Sequence, residues 1–512
     1  MKAVIIGSGI AGLTAGAYLA KHGFELTILE QNPDIGGVTG GFRKDGFYWD
    51  MGQLVLEGFG PGEQVGTILE ELGLMGAIRT VRADRTYVFP DITIRPPEVY
   101  AGPWWRKEFL KERFPGDRKG LERYYKMYMR FMNLVTIARQ AERSSGVSGL
   151  LKKIKLYATL LPFVTKIRWS AQRMAQSLFG DPKLRAIFIS ILADFVVRPS
   201  QFPGLGIPAV NPEPAFDRRV PLEVSSTGKQ PSYRFIEGGC RVLVDALASA
   251  IRRQGGSILT GIEASKIRIE NNRARGVQCA DGGYYDADLV LASGGAREVF
   301  ADLVGGDHLP EKFLSRMERL PLMESILMVH LGINFDPRPW QRDAVCYYYR
   351  TYDVEAAVDH LQKSLYHEGE DGFLIYIPTF FMPQCSPCGE YAVTVYTIAP
   401  NTLTHGTWRE RKVELANRLL DYAEGIIPGL RAGATQKIIL TPEDFRKGTH
   451  LRHHAFGGCA PVMGTKGAPH RTPVKGLWFI GAQSESGAGM NNVIEGSWRA
   501  MRMIFKELGI NM

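Results

Sequence analysis

Residues 4 to 12 read Val-Ile-Ile-Gly-Ser-Gly-Ile-Ala-Gly, and a largely apolar pattern continues to Ala20. A buried strand that runs directly into Gly-x-Gly-x-x-Gly and then into a helix leaves little choice but the start of a βαβ unit. Gly7 permits the tight turn, Gly9 lets a pyrophosphate approach the backbone, and Gly12 lets the helix pack closely on the sheet. The helix N-terminus favours the phosphate charge. The second strand, Phe24 to Leu29, ends at Glu30, where an acidic side chain accepts hydrogen bonds from both hydroxyls of an adenosine ribose and repels a 2′-phosphate. Together these predict a dinucleotide site contacted by Gly7, Ser8, Gly9, Ile10, Ala11, Gly12 and Glu30.

The chain closes on a similar pattern, LWFIGAQSESGAGMNNVIEGSWRA at residues 477 to 500, with a strand over Leu477 to Ile480 and a helix from near Met490. After Glu30 come Gln31-Asn32-Pro33-Asp34-Ile35-Gly36-Gly37 and then Gly40-Gly41-Phe42. A paired glycine at that point resembles the flavoproteins in which it continues an FAD site. Five stretches narrow the resemblance: LEQNPDIGGVTGGF, GFYWDMGQLVLEGFG, YRFIEGGCRVLVDALASAIRRQGGSILTGIEASKI, GVQCADGGYYDADLVLASGGAREVF and the closing segment. In that order they resemble the bacterial-type phytoene desaturases of the amine-oxidase-like FAD group, which include carotenoid desaturases, carotenoid isomerases and retinol saturases.

That resemblance implies FAD as cofactor. It extends the site to Gln31, Gly36, Gly37 and Val38, to Ile262 beside the adenine, and to Gly481, Ala482, Gly489, Met490, Asn491 and Val493 around the ribityl chain and flavin. Val38 stands where many of the wider group carry Arg, and Ala482 where other flavoproteins often place Asp. Backbone amides must then supply most pyrophosphate contacts at that end. The helix from Met490 is expected to aim its amides at flavin N1 and the C2 oxygen, stabilising the anionic reduced ring.

If both ends hold one cofactor, the intervening chain must leave the nucleotide domain and return. Residues 231 to 305 read as helix, strand, two short strands and a buried strand at Leu289 to Ala292. The expected fold is therefore α/β: a discontinuous Rossmann-like FAD-binding domain with a central parallel sheet, formed by residues 1–94, 231–314 and 441–512. An α+β substrate domain is inserted in it, with a helical part over 95–230 and a β-rich part over 315–440. SILMVHLGINF, GFLIYIPTFFM and EYAVTVYTIAP supply strands of a mixed or antiparallel sheet under that helical cover.

No run of 18 or more apolar residues occurs, so no membrane-spanning helix is expected. The net charge of +9 is modest for 512 residues, but Arg143 to Gly180 holds seven basic residues and no acid. Leu150, Leu151, Ile154, Tyr157, Ala158 and Leu161 recur there at helical spacing before Pro162, with Lys152, Lys153 and Lys155 off that stripe. Two readings stay open: a helix packed on the second domain with a solvated basic face, or a monotopic membrane anchor. Trp169 and Trp104-Trp105-Arg106-Lys107 add side chains favoured at a bilayer interface. The strand starting at Lys2 or Ala3 leaves no room for a signal peptide and the six cysteines are scattered. The expected location is cytoplasmic, peripheral to the inner face of the membrane.

Cys385 and Cys388 have redox or zinc spacing without a second pair, and His450, His453 and His454 lie among Arg446, Lys447 and Arg452, a poor setting for a divalent cation. No metal is expected. Of the three histidines His454 is the candidate for a proton donor or acceptor. The family resemblance implies hydride transfer between flavin N5 and a C–C bond of a lipophilic carotenoid, retinoid or other isoprenoid, by desaturation, saturation or isomerisation. A quinone, O2 or NAD(P)H would be the external electron partner, and nucleic acid is not expected. The alternatives are an amine-oxidase-like enzyme on a soluble substrate and a non-catalytic prenyl-binding escort protein of the same fold.

Overall fold

The computed structural model describes residues 1–52, 55–144, 146–223 and 229–511. Gln53 and Leu54 of the second quoted stretch lie outside them. Five parallel strands form the first sheet, in the spatial order Ser257–Thr260, Glu25–Glu30, Lys2–Ile6, Leu289–Ala292 and Leu477–Phe479. Successive strands are added first on one side of Lys2–Ile6 and then on the other. The crevice beyond the carboxyl ends of such a sheet, at the strand where the order reverses, is where ligands bind.

Helices Ile10–Lys21 and Met490–Leu508 pack on one face of this sheet, joined there by Arg241–Arg253. The fold class is the α/β arrangement expected. Gly12 shows why the opening turn needs its glycines, since a Cβ there would lie 2.0 Å from the Gly7 carbonyl oxygen. Gly7 itself has φ +93°, a left-handed conformation that side chains disfavour.

A second sheet of seven strands runs Ala434–Leu440, Ser325–Ile333, Tyr391–Ala399, Gly372–Tyr376, Val345–Tyr349, Thr86–Val88 and Thr93–Ile94. It is antiparallel except where Val345–Tyr349 meets Thr86–Val88. Its last two strands come from within residues 1–94, so this sheet takes residues that the sequence had assigned to the nucleotide domain. All nine residues of Ser325–Ile333 are buried because both faces are covered. Leu327, Val329 and Leu331 pack under helix Trp408–Glu424, while Ile326 and Met328 face the helical cover with Tyr347, Tyr349 and Tyr396.

The cover is built on the long helix Arg118–Glu142, with Ala171–Leu178 and Pro182–Ile189 beside it. Ser170 caps one of these by accepting from the Arg173 amide, and Asp181 caps the other from Lys183 and Leu184, with Pro182 following. Arg106 and Glu213, both fully buried, form an ion pair of 2.6 Å inside it. Trp105 is buried as well, so Trp105 and Arg106 serve this core, while Trp104 and Lys107 stay part-exposed.

Candidate flavin and substrate site

One cavity of about 1020 Å³ runs from the carboxyl ends of the parallel sheet into the space between the second sheet and its helical cover. Gly7, Gly9, Ile10 and Ala11 form its wall at the sheet end. A Cβ built on Gly9 would meet nothing within 4 Å, so the bare backbone borders open space, while Gly12 is sealed against the turn. This is a cradle that a side chain would fill, at the N-terminus of a helix whose first amides have no partner within the helix.

Glu30 is buried on the same wall, and its two oxygens are held apart. Oε2 accepts from the Ser8 amide at 2.8 Å and the Ser8 hydroxyl at 2.7 Å, and Oε1 accepts from the Asn32 amide and side chain, both at 2.9 Å. Gly36 donates to the Ser8 carbonyl at 3.1 Å, which draws the paired glycine against the first turn. Gly37 and Val38 line the cavity beyond it. Gln31 reaches the Thr449 carbonyl at 3.2 Å and also borders the cavity. Ile262 lines the cavity beside Glu30, its amide committed to the Glu30 carbonyl at 2.9 Å.

The closing segment forms the opposite wall with Gly481, Ala482, Gly489, Met490, Asn491 and Val493. Gly481 and Gly489 have φ +106° and +93°, which bring the backbone itself to the cavity surface. The helix begins at Met490 with no acidic residue in its first turn, leaving an electropositive end. Val493 is different from its neighbours, because its amide already donates to Gly489 at 2.9 Å and only its side chain is available.

A family model described as flavin-containing amine oxidoreductase matches residues 10–504. The chain belongs to that family. It is an FAD-dependent oxidoreductase, and the cradle fits that cofactor. It is 23% identical to a prolycopene isomerase from an Oncidium hybrid cultivar, over 99% of this chain and 84% of that one. It is also 23% identical to a lycopene-forming phytoene desaturase from Pseudescherichia vulneris, over 99% of each chain. An oxidoreductase from Methanosarcina mazei shares the fold, with a TM-score of 0.62 at 20% identity over 98% of this chain and all of that one.

Beyond the cofactor region, the cavity of this amine oxidoreductase family member is mostly apolar. Phe131, Met132, Val135 and Ile191 line one side, and Leu374 the other. A few polar groups interrupt it: Glu57, Asp194, Tyr233, Tyr347 and Tyr396. Burial pushes the Asp194 carboxyl up to about 7 against the pull of Arg85, and its Oδ2 is shielded from solvent without a hydrogen-bond partner among the described residues. Burial raises Glu57 too. Arg85, fully buried, donates to the Tyr233 hydroxyl at 2.8 Å and lies 4.3 Å from the Phe216 ring.

His454 sits on the cavity wall, but its ring lies flat on Phe445, with centroids 5.0 Å and planes 9° apart. Both nitrogens are buried without partners among the described residues, and burial lowers its pKa to about 3. It is a neutral imidazole across the physiological range, poorly suited to taking up a proton. His453 is occupied with the Met323 carbonyl at 2.8 Å and Asn401 at 3.1 Å. His450 also borders the cavity, with Nδ1 3.6 Å from Glu263.

Several wall residues escaped sequence reasoning. Ser293-Gly294-Gly295 lines the cavity after the buried strand Leu289–Ala292, with Gly294 at φ +108°. A second strand-to-glycine turn was a readable signal there. Asn32, which holds the free oxygen of Glu30, was also missed, although it lies inside the quoted motif. Glu57, Asp194 and the tyrosines carry no local signature.

The helix Gly146–Leu160 and the turn Leu161–Lys166 turn their apolar side chains outward. Eight of the seventeen large apolar side chains exposed among the described residues lie between Val147 and Ile167, including Leu151 at 62% and Tyr157 at 69%. The stripe is therefore not packed on the second domain. The helix follows Arg118–Glu142, whose Arg139 and Glu142 border the cavity at that end. No helix is long and apolar enough to cross a membrane among the described residues.

Proposed function

We propose that this FAD-dependent oxidoreductase acts on a carbon–carbon bond of a lipophilic isoprenoid or polyene taken from a membrane surface. The carrying observation is the continuity of one cavity from the glycine cradle into a largely apolar space, bordered by Arg139 and Glu142 of the helix that leads into an exposed apolar and basic one. A bilayer suits that patch because eight clustered apolar side chains are costly to leave in water, while the interleaved lysines favour anionic head groups. The names of the relatives, an isomerase and a desaturase of polyenes, support the same substrate class.

When bound, FAD supplies a hydride acceptor or donor at N5. The protein contributes the rest. Gly9, Glu30 and the paired glycine fix the nucleotide half, and the electropositive start of Met490–Leu508 favours negative charge on a reduced ring. The sheet and the cover hold a substrate chain in a cavity shielded from water. A CH2–CH2 unit that loses a hydride and a proton becomes a double bond, and the reverse saturates it. Which direction runs depends on the external electron partner, a quinone, O2 or NAD(P)H. The protein would then work at the inner face of the cytoplasmic membrane.

A soluble amine as substrate leaves the outward apolar helix without a purpose, and an escort role leaves the intact cradle without one. Anaerobic incubation with phytoene, lycopene, retinol and a menaquinone, followed by flavin absorbance and product mass, tests the reading. A polyene that changes the flavin spectrum and is itself desaturated, saturated or isomerised is the expected result. Flavin bleaching by putrescine with no response to any polyene overturns it.

A further inference from the structure

Asp194 is one of the polar groups on the cavity wall for which the chemistry above has no use. It lies in the turn after Pro182–Ile189, where Val196 adopts φ +45°, a conformation a β-branched residue rarely takes. Its Oδ2 has no partner among the described residues and is closed off from solvent. Burial holds the phenol of Tyr396 well above its ordinary range, and the nearby Asp194 carboxylate adds to this. Tyr347 feels the same charge, after burial and its tyrosine neighbours. Tyr347 and Tyr396 flank Leu374 in register on adjacent strands, and all three residues line the cavity with Asp194.

Oδ2 is sealed, but Asp194 is only part-buried and meets the cavity through its other carboxyl oxygen, which a wholly hydrocarbon ligand would cover with nothing to bond it, at a cost. An oxygen-bearing ligand removes that cost. Resting on the isoprenoid reading above, we propose that the substrate carries a hydroxyl or similar oxygen function and that Asp194, with the Tyr347 and Tyr396 hydroxyls, binds that polar end. The apolar remainder of the cavity then takes the hydrocarbon chain. Arg85 already places a cation beside this cluster, bonded to Tyr233, which favours a neutral oxygen function over an ammonium. Asp194 on this account determines specificity and register, setting which bond of the chain reaches the flavin region.

The test uses the flavin-loaded protein in detergent micelles, titrated with geranylgeraniol and with the matching hydrocarbon that lacks the hydroxyl, reading perturbation of flavin absorbance. The alcohol should bind at least about tenfold more tightly, because a site built around a substrate hydroxyl rejects the analogue without it. Asp194→Leu should abolish that preference while keeping flavin content, and Asp194→Asn should retain most of it, since an amide still hydrogen-bonds. Equal binding of the two ligands by the wild type, or a preference that survives Asp194→Leu, overturns the proposal and leaves the isoprenoid reading standing. So does slowed turnover in both variants with the binding preference intact, which would make Asp194 a proton carrier. If neither ligand perturbs the flavin, both readings fall. Should Asp194→Leu not fold, Tyr396→Phe must weaken the preference, and an undiminished preference counts against the proposal.

Discussion

The hydroxyl and the amide of Ser8 both donate to the same oxygen of Glu30, at 2.7 and 2.8 Å, across the first βα turn. The second residue of the glycine loop thus fixes the carboxylate at the end of the next strand, and Asn32 fixes its other oxygen. A ribose arriving here meets an acceptor whose orientation is already set. Ser8→Ala removes one of two donors and should weaken flavin retention only a few-fold, about 1 kcal/mol. Gly9→Glu, which puts a charged side chain into the open space of the cradle, should yield folded protein almost free of flavin. The ratio of flavin to protein absorbance after gel filtration checks both.

Two buried histidines tie stability to pH. Burial lowers both His330 and His454 to about 3, while an unfolded chain protonates them near 6.5. Below 6.5 the unfolded state binds protons that the native state refuses, so their contribution is complete above pH 6.5 and is lost as pH falls from there toward 3. Melting temperature should decline through that window. His454→Phe, which keeps the stack on Phe445, should flatten the decline and leave the neutral-pH rate profile without a new inflection.

The exposed stripe gives a prediction that separates surface from fold. Leu151→Glu with Ile154→Glu should cut co-sedimentation with anionic lipid vesicles by about tenfold or more, given the apolar area removed. Melting temperature should be nearly unchanged, since both side chains are more than half exposed. Raising ionic strength should weaken vesicle binding of the wild type, because lysine attraction is screened.

Arg106 and Glu213 make the opposite case. Both are fully buried and joined at 2.6 Å, and the guanidinium also lies 3.8 Å from the Phe216 ring. Arg106→Met alone strands a carboxylate in the core and should cost roughly 3–5 kcal/mol. Arg106→Met with Glu213→Leu should be much milder. Chemical denaturation of the two variants compares them.

The nucleotide end was legible because its requirements are backbone requirements. Gly7, Gly12 and Glu30 occupy positions that turn geometry and ribose chemistry dictate, and these show in any single sequence. Strands such as Leu289–Ala292 were legible from continuous apolar runs. Thr86–Val88 was not, since three residues hold too little alternation to show which sheet they join. Trp105 and Arg106 look alike in sequence whether they face lipid or core, and only the distant Glu213 decides. Asp194 is the extreme case: nothing in its neighbours marks it, and its isolation comes from tyrosines about 150 and 200 residues away.

The fifth strand of the parallel sheet, Leu477–Phe479, pairs with Leu289–Ala292, and the helix that follows it packs on Ile10–Lys21, nearly 470 residues earlier in the chain. The cradle's far wall is thus made after its other walls. On the ribosome the strand, loop and helix over residues 2–21 must wait until residue 490 and its helix have emerged before a complete pocket for FAD exists, so cofactor capture follows that point of synthesis. Any truncation before Gly489 should produce a chain that no supply of FAD can rescue.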